Sequence, residues 1–205
     1  MATRAAGRPV GTSDTNRYEE VLEAAITAFD RNGYKSTSVQ DIADEAGIVK
    51  GTLYHYIKAK EDLLFEIINR VQQQMVPKLA ELEALETSAA DKLRTFICWY
   101  VEHTIANRRV FGIFLRDFDA LSPKRRKQLT EVRDSYDGFV MSLIAAGQQA
   151  GEFRDDVTPR VFAFSIFGMI HWIYQWYSPS GSLTTDDVGR QMADLALVGI
   201  VAPAG

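Results

Sequence analysis

The feature that most constrains the fold of this chain is a hydrophobic pattern of helical period that recurs from Arg17 almost to the C-terminus. In its first stretch, apolar residues lie at positions i, i+4, i+7 and i+11, which places them on one face of a helix. These residues are Tyr18, Leu22, Ala25 and Phe29. No segment shows the alternation of apolar and polar residues that is typical of a half-buried strand. The sequence therefore predicts an all-α protein, and its turn signals divide it into nine helices.

The second helix fits two starting registers. In one, Thr37 is the N-cap and Gln40 reaches back to complete a capping box. In the other, Ser38 and Asp41 take these two roles one residue later. Gly47 ends this helix, because glycine adopts the left-handed conformation of a helix C-terminus without steric cost.

A third, short helix is expected from Val49 to Tyr56. It is joined to the second across residues 46–48, and two short helices with a glycine in the turn predict a helix-turn-helix. Val49, Leu53 and Tyr56 are expected to face inward, since they lie at positions i, i+4 and i+7. The small, polar and cationic surface that remains consists of Lys50, Gly51, Thr52, Tyr54 and His55.

This outward surface suits the major groove of DNA. Lys50 can reach a phosphate or a guanine edge, and Thr52 a base or a thymine methyl group. Tyr54 and His55 suit backbone phosphates, and Gly51 removes bulk so that the helix can come close to DNA. The alternative interpretation is a solvated face of a small helical bundle.

The later helices are longer and more apolar. The fourth begins near Lys60 and carries Pro77, which should kink or end it. The other five are expected at Ala89–Asn107, Val110–Ala120, Pro123–Ala150, Pro159–Tyr177 and Thr185–Val201.

The stretch from Thr37 to Tyr56, TSVQDIADEAGIVKGTLYHY, resembles the signature of the TetR (tetracycline-repressor) family, and Lys58–Leu64 continues it. This resemblance implies a homodimer of all-α subunits, with a helix-turn-helix DNA-binding domain at residues 17–60 and an effector-binding and dimerisation domain at residues 61–205. It implies DNA contacts by Thr37, Gln40, Lys50, Gly51, Thr52, Tyr54, His55 and Lys60. One departure is Ala59, where the family usually has a Ser or Thr N-cap, at a cost of ~1 kcal/mol of capping.

Residues 1–16 are expected to form a flexible arm that is rich in small and polar residues. Arg4 and Arg8 can enter a neighbouring minor groove, or the arm can remain an unbound tail. The net charge of the chain is −4, but residues 1–60 balance 8 Lys/Arg against 8 Asp/Glu. A local basic face can therefore still bind phosphate.

Aromatic residues at helical spacings are frequent in the second half of the chain. Each one alone is typical of a plain core, but together they exceed what a tight core of this size needs. We therefore expect an apolar effector pocket between helices. Its candidate residues are Trp99, Tyr100, Phe111, Phe114, Phe118, Tyr136, Phe139 and Trp172.

Charged residues of this region are weaker candidates for effector binding. Four arginines could meet an anionic group, although each alone is typical of a solvated side chain; they are Arg108, Arg109, Arg116 and Arg154. His103 and His171 are expected to be helix histidines with satisfied hydrogen bonds rather than ligands. No cofactor and no metal site is predicted, since no Cys/His ligand spacing is present.

Residues Trp176–Leu183 also resemble a stretch of family members that respond to fatty-acyl-CoA or steroid-derived CoA thioesters. Gln175 departs from this pattern, because some of those regulators have an arginine there. The expected effector is lipid-like or aromatic, with acyl-CoA as one option. The family places its dimer interface on the last two helices, here residues 159–177 and 185–201.

The predicted function is a repressor that binds a palindromic operator as a dimer and is released by a small apolar effector. No Ser-His-Asp, Cys-His or paired-carboxylate constellation is visible, so we expect no enzymatic activity. No secretory leader or membrane-length apolar run is visible either, which predicts a cytoplasmic protein. An activator of the same fold, or a helical interaction module without DNA binding, remains as the alternative.

Overall fold

The computed structural model describes residues 12–201, with side chains from residue 16 onward. Arg4 and Arg8 of the predicted arm lie outside the described residues. The first helix begins at Thr12, five residues before the predicted start at Arg17.

Helices account for most of the described chain. Their bounds are α1 (Thr12–Asn32), α2 (Val39–Glu45), α3 (Lys50–Leu53), α4 (Lys60–Gln73), α5 (Met75–Glu83), α6 (Ala89–Ala106), α7 (Arg108–Asp117), α8 (Pro123–Gln149), α9 (Pro159–His171), α10 (Ile173–Trp176) and α11 (Thr185–Ile200). A short 3₁₀ turn, Phe118–Ala120, follows α7. Between Thr12 and Val201, strand pairing is limited to one isolated bridge between Phe153 and Val201.

Three pairs of these segments are separated by a single residue. At Asn107, between α6 and α7, the backbone leaves the helical region (φ −108°, ψ +22°), so these are two helices. In the other two pairs the separating residue stays in the α-helical region, so each pair is one helix with a break. Gln74 separates α4 from α5, and Trp172 separates α9 from α10. Counted in this way, the described residues form the nine predicted helices. The first break comes three residues before Pro77, because proline lacks the N–H that would bond to the carbonyl of residue 73 and its ring crowds that carbonyl.

The N-terminal domain packs α1, α2, α3 and the start of α4 around one core, in which Phe29, Ile42 and Leu53 are fully buried. Two glycines with positive φ make its turns: Gly33 (φ +78°) ends α1, and Gly47 (φ +64°) lies between α2 and α3. The start of α2 follows the second predicted register. Ser38 is the N-cap, and Asp41 completes the capping box.

The C-terminal domain is built around α6, which carries the buried residues Phe96, Ile97 and Tyr100. Helix α11 packs closely along it, since a Cβ atom on Gly189 would lie only 3.3 Å from Cys98 Cα. Helices α7, α8 and α9 contact the other sides of this core. Among the described helices, none has the length and apolar character needed to cross a membrane.

Candidate nucleic-acid interface and effector cavity

The third helix is short because only its first turn is α-helical. Helix α3 spans Lys50–Leu53, and the chain then continues in tight turns through Ile57, whose N–H bonds back to the Leu53 carbonyl at 3.2 Å. Leu53 and Ile57 are buried and anchor this stretch to the N-terminal core. We call residues 49–56 the recognition segment.

The polar side of the recognition segment lies at the surface, as predicted. Lys50, Gly51, Tyr54 and His55 are exposed, and Thr52 is half-buried. A Cβ atom on Gly51 would meet no other atom of the described chain within 4 Å. The packing of the described chain therefore does not require glycine at this position. The open space beside Gly51 is available to an external molecule.

Val49 differs from its prediction. It was expected to face inward, but it is the N-cap of α3 and 72% exposed. The apolar pattern was misleading because Val49 lies just outside the helix whose period it appeared to start. An exposed valine beside Lys50 adds an apolar contact point that the sequence analysis missed.

Thr37 does not fit the predicted role in DNA binding. Its side chain is 1% exposed, and its hydroxyl donates toward the carbonyl oxygens of Ala28 at 3.1 Å and Gly33 at 2.8 Å. Its backbone N–H is also used, since it donates to the Gly33 carbonyl at 3.2 Å. Thr37 therefore ties the start of α2 to the end of α1, and no part of it is free for a phosphate.

Lys60 also has an intramolecular role. Its Nζ donates to the backbone carbonyls of Tyr34, at 2.6 Å, and Thr37, and it lies 4.2 Å from the centre of the Tyr34 ring. Burial lowers the pKa of Lys60, and nearby Asp117 and Asp41 partly offset this effect. The predicted DNA contact by Lys60 is therefore replaced by a clamp between α4 and the turn before α2.

Gln40 remains a surface residue on α2. It is exposed, and its Nε2 donates to Asp44 Oδ1 at 2.7 Å, one helical turn further on. This contact orients the amide and leaves its carbonyl oxygen at the surface.

The start of α4 is attached to α8. Arg125 forms ion pairs with Asp62 and, at 3.7 Å, with Glu61. The other oxygen of Asp62 accepts the backbone N–H groups of Lys58 and Ala59 at 2.7 and 2.8 Å. Asp62 therefore supplies the capping that Ala59 lacks, and it joins the turn after the recognition segment to the C-terminal domain.

Helix α7 attaches the C-terminal domain to α1. Arg109 pairs with Glu23 at 2.6 Å and donates to the Thr27 hydroxyl at 2.7 Å. Arg116 donates to the Phe29 carbonyl at 2.7 Å. These two arginines, which were candidates for an effector's anionic group, instead hold the two domains together. Arg154, a third candidate, pairs with Asp156 at 2.5 Å.

Between α4, α5, α6, α7 and α8 lies an apolar cavity, which we call the effector cavity. Its lining residues are Ile68, Val71, Gln72, Met75, Tyr100, His103, Val110, Phe111, Phe114 and Tyr136. The space open to water in it is about 20 Å³, which is roughly one water molecule. A drug-sized molecule needs ~300 Å³ or more, so its binding requires the surrounding helices to move apart.

The predicted aromatic residues divide into two groups. Tyr100, Phe111, Phe114 and Tyr136 line the effector cavity, as expected. The other four are absent from its lining. Phe118 lines an open groove between α7, α8 and α9, Phe139 packs on Phe96, Trp99 stacks on His103, and Trp172 is 61% exposed.

Two polar residues in the lining have buried atoms without a hydrogen-bond partner. Gln72 Oε1 and His103 Nε2 are both of this kind, and their side chains belong to residues that are only 8% and 7% exposed. Burial lowers the pKa of His103 to about 4, so its ring is neutral near pH 7. The expectation that His103 would be a satisfied histidine is therefore met only at Nδ1, which lies 3.3 Å from Asn107 Nδ2.

His171 does have a partner, as expected. Its Nε2 lies 2.7 Å from the hydroxyl of Tyr100. Gln72 was missed in the sequence analysis, although a signal was present. It lies four residues after Ile68, on the apolar stripe of α4, and is the polar member of that stripe.

The outer surface of α9–α11 carries large apolar side chains, which we call the α9–α11 face. They are Val161 (61% exposed), Phe164 (45%), Trp172 (61%), Leu195 (67%) and Val198 (84%). Helices α9 and α11 are neighbours, since a Cβ atom on Gly199 would lie 3.9 Å from the Phe162 ring. Several large exposed apolar side chains on neighbouring helices are typical of a surface that contacts another protein.

Two family models match the chain. The model described as "Bacterial regulatory proteins, tetR family" matches residues 21–67. The model described as "Tetracyclin repressor-like, C-terminal domain" matches residues 86–200.

Curated relatives and solved structures agree with these models. The HTH-type transcriptional repressor KstR2 of Rhodococcus jostii is 30% identical over 191 residues, which cover 92% of this chain and 93% of that protein. The structure of the ketosteroid transcriptional regulator KstR2 of Mycobacterium tuberculosis matches with a TM-score of 0.85 at 25% identity, covering 97% and 100% of the two chains. AibR, solved in complex with isovaleryl coenzyme A and operator DNA, matches with a TM-score of 0.77 at 30% identity, covering 92% and 100%.

Proposed function

The chain belongs to the TetR family of bacterial transcriptional regulators, and from this premise we propose that it is a dimeric repressor released from its operator by a small apolar effector. The observation that carries the proposal is the connection of the effector cavity to the recognition segment through α4. The relatives are named as transcriptional regulators rather than enzymes, in agreement with the sequence prediction.

In the proposed DNA complex, the recognition segment enters the major groove. Lys50, Tyr54 and His55 are exposed on one short stretch and suit phosphates and base edges. Thr52 and the exposed Val49 suit thymine methyl groups. Gln40 contributes from α2, and the open space at Gly51 allows close approach of the DNA backbone.

The proposed dimer forms through the α9–α11 face. Its exposed apolar residues become buried when a second apolar surface packs against them. A second copy of the chain, related by a twofold axis, provides the same surface. Such a dimer presents two recognition segments. They would match half-sites of a palindromic operator that are ~34–36 Å apart.

The proposed effector site is the effector cavity. Helices α4 and α7 each contribute three residues to its lining, and the same two helices carry the ion pairs that hold the N-terminal domain. An effector that separates these helices would therefore change the position of the recognition segment. KstR2 is described as a ketosteroid regulator and AibR was solved with isovaleryl coenzyme A, which supports a lipid-like or acyl-CoA effector for this chain.

The experiment that tests this proposal measures both binding events on one sample. DNA fragments are selected from the source genome with the purified protein, and their affinity is then measured with and without candidate effectors. An effector that raises the melting temperature must also weaken operator binding, and by linkage the operator must weaken effector binding by the same factor. A promoter fusion distinguishes a repressor from an activator, because deletion of the gene raises expression only for a repressor.

A further inference from the structure

The lining of the effector cavity is mostly apolar, and its polar side chains are Gln72, His103 and the two tyrosines Tyr100 and Tyr136. Gln72 comes from α4 and His103 from α6, so the two side chains reach the cavity from different helices. Each residue is more than nine-tenths buried, and each has a polar atom without a hydrogen-bond partner. The hydroxyls of the two tyrosines have partners within the protein, since the Tyr100 hydroxyl lies 2.7 Å from His171 Nε2 and also contacts that of Tyr136.

The partner of Nδ1 determines which nitrogen of the neutral His103 ring carries the proton. Asn107 Nδ2 lies 3.3 Å from His103 Nδ1, and an amide nitrogen can only donate, so Nδ1 is the acceptor in this pair. The single proton of the neutral ring is therefore on Nε2. The Val71 carbonyl lies close enough to this ring to raise its pKa, but Nε2 makes no hydrogen bond of ordinary distance and angle with it.

The polar atoms of the lining that are buried without a partner are thus one donor, His103 Nε2–H, and one acceptor, Gln72 Oε1. A hydroxyl group matches this pair, since it accepts one hydrogen bond and donates another. A ketone or ether oxygen can satisfy only His103. A carboxylate can only accept, so it would face the Gln72 oxygen without a proton to share.

We propose that Gln72 and His103 form a polar anchor that selects effectors with a hydroxyl group on an otherwise apolar body. This inference rests on the proposed function, because it assigns specificity to the same effector cavity. A group that replaces water at such a place gains affinity only if it reproduces the hydrogen bonds of that water. An apolar group in the same position leaves both buried polar atoms unpaired and is rejected.

The test compares three probes of the same ring size: 2-naphthol, 2-methylnaphthalene and 2-naphthoate. Dissociation constants are measured by ligand-detected NMR titration of the full-length protein. We expect 2-naphthol to bind about tenfold or more tightly than 2-methylnaphthalene, and 2-naphthoate to bind weakest. In the Gln72→Leu and His103→Leu variants, the preference for 2-naphthol should shrink, and in the double variant it should disappear, while the affinity for 2-methylnaphthalene stays equal or rises.

Gln73→Leu is the matched control, because Gln73 is the exposed neighbour of Gln72 on the same helix. It should retain the full preference of the wild type. The melting temperature gives an independent readout. Replacing an unpaired buried amide by leucine should raise it by about 2–4 °C, whereas loss of a structural hydrogen bond would lower it.

The outcomes separate the two proposals. Equal binding of 2-naphthol and 2-methylnaphthalene by the wild type overturns the polar anchor but supports an apolar effector cavity. A hydroxyl preference that stays undiminished in Gln72→Leu and His103→Leu also overturns the anchor alone, as does tighter binding of 2-naphthoate. If none of the three probes binds, both the anchor and the apolar effector cavity are wrong.

Discussion

Arg125, in the first turn of α8, pairs with Asp62, in the first turn of α4. The same carboxylate accepts the backbone N–H groups of Lys58 and Ala59, just after the recognition segment. Arg125 of the C-terminal domain thus contacts Asp62, and Asp62 holds the turn that follows the recognition segment. Burial alone would raise the pKa of Asp62, but Arg125 and these N–H groups hold it below its ordinary value.

The first prediction concerns this ion pair. The Arg125→Ala variant leaves Asp62 and Glu61 without their cation, and all three side chains are only about a quarter exposed. We expect a loss of about 1 kcal/mol, which corresponds to a decrease in melting temperature of about 2–4 °C, and a several-fold weaker affinity for DNA. Differential scanning calorimetry and a DNA titration measure these effects.

The control for this prediction is the neighbouring residue Arg126, which pairs with the almost fully exposed Asp119 at 3.4 Å. Arg126→Ala should change neither the melting temperature nor DNA binding beyond experimental error. Identical behaviour of the two variants would show that the α8–α4 contact has no special role.

The second prediction distinguishes a structural from a DNA-contacting Thr37. Thr37→Val keeps the shape of the side chain but removes the hydroxyl that donates to Ala28 and Gly33. We expect a decrease in the free energy of unfolding of about 1–2 kcal/mol, measured by urea denaturation. Operator affinity at 10 °C should change less than threefold. The exposed neighbour Ser36 supplies the control, since Ser36→Ala should be neutral, and a Thr37→Val variant that is stable but unable to bind DNA would refute this role.

The third prediction concerns the dimer. Val198 is 84% exposed on the α9–α11 face, and Val198→Glu would bury a charge in the proposed interface. In sedimentation equilibrium we expect the wild type to be a dimer and the variant to be folded but monomeric. Val76 on α5 is also an exposed valine, at 48%, and Val76→Glu should remain dimeric. A dimeric Val198→Glu would place the interface elsewhere.

The fourth prediction is a dependence of stability on pH. The folded-state pKa of His103 is about 4, below its ordinary value of 6.5, because the ring is buried. The unfolded chain therefore binds more protons between these values, and the contribution of neutral His103 is complete above pH 6.5 and lost as the pH falls towards 4. Between pH 7 and pH 5, this loss is on the order of 1–2 kcal/mol. The unfolding free energy of His103→Leu should fall less over this range.

Asp137 acts in the opposite direction. Burial raises its pKa to about 6, so the folded state binds the extra proton, and this contribution is lost as the pH rises through 6. Asp137→Asn should therefore make the loss of stability on acidification steeper than in the wild type. Equal pH profiles for wild type, His103→Leu and Asp137→Asn would contradict this assignment of buried groups.

Local signals predicted the helices but not every side chain's surroundings. The apolar period and the glycines at 33 and 47 were sufficient for the helix-turn-helix, because these features act within one or two turns of the chain. Thr37 was misplaced since its partner, the Ala28 carbonyl, belongs to the preceding helix. The prediction that Val49 faces inward was wrong for a related reason. A hydrophobic period does not show whether a residue at the start of a helix still lies within that helix.

The effector cavity was predicted only in part because its wall depends on how distant helices meet. Tyr100 and Tyr136 lie on α6 and α8, and their convergence follows from packing rather than from either helix alone. Trp172 was expected in the pocket, but the break that separates α9 from α10 falls at this residue, and its side chain lies at the surface. Gln72 could have been predicted from the sequence, because a polar residue on the apolar stripe of a helix indicates a buried polar position.

The most direct test of the central proposal, DNA binding by the recognition segment, is the salt dependence of operator affinity in the Lys50→Ala/Tyr54→Ala double variant. The operator is a fragment selected from the source genome by the wild type. We expect affinity to fall about 100-fold or more, and the slope of log K against log salt to decrease in magnitude by about one for each lysine–phosphate ion pair that the substitutions remove. Lys127→Ala, at an exposed lysine of α8, should retain both values. Unchanged affinity and an unchanged slope in the double variant would contradict the account.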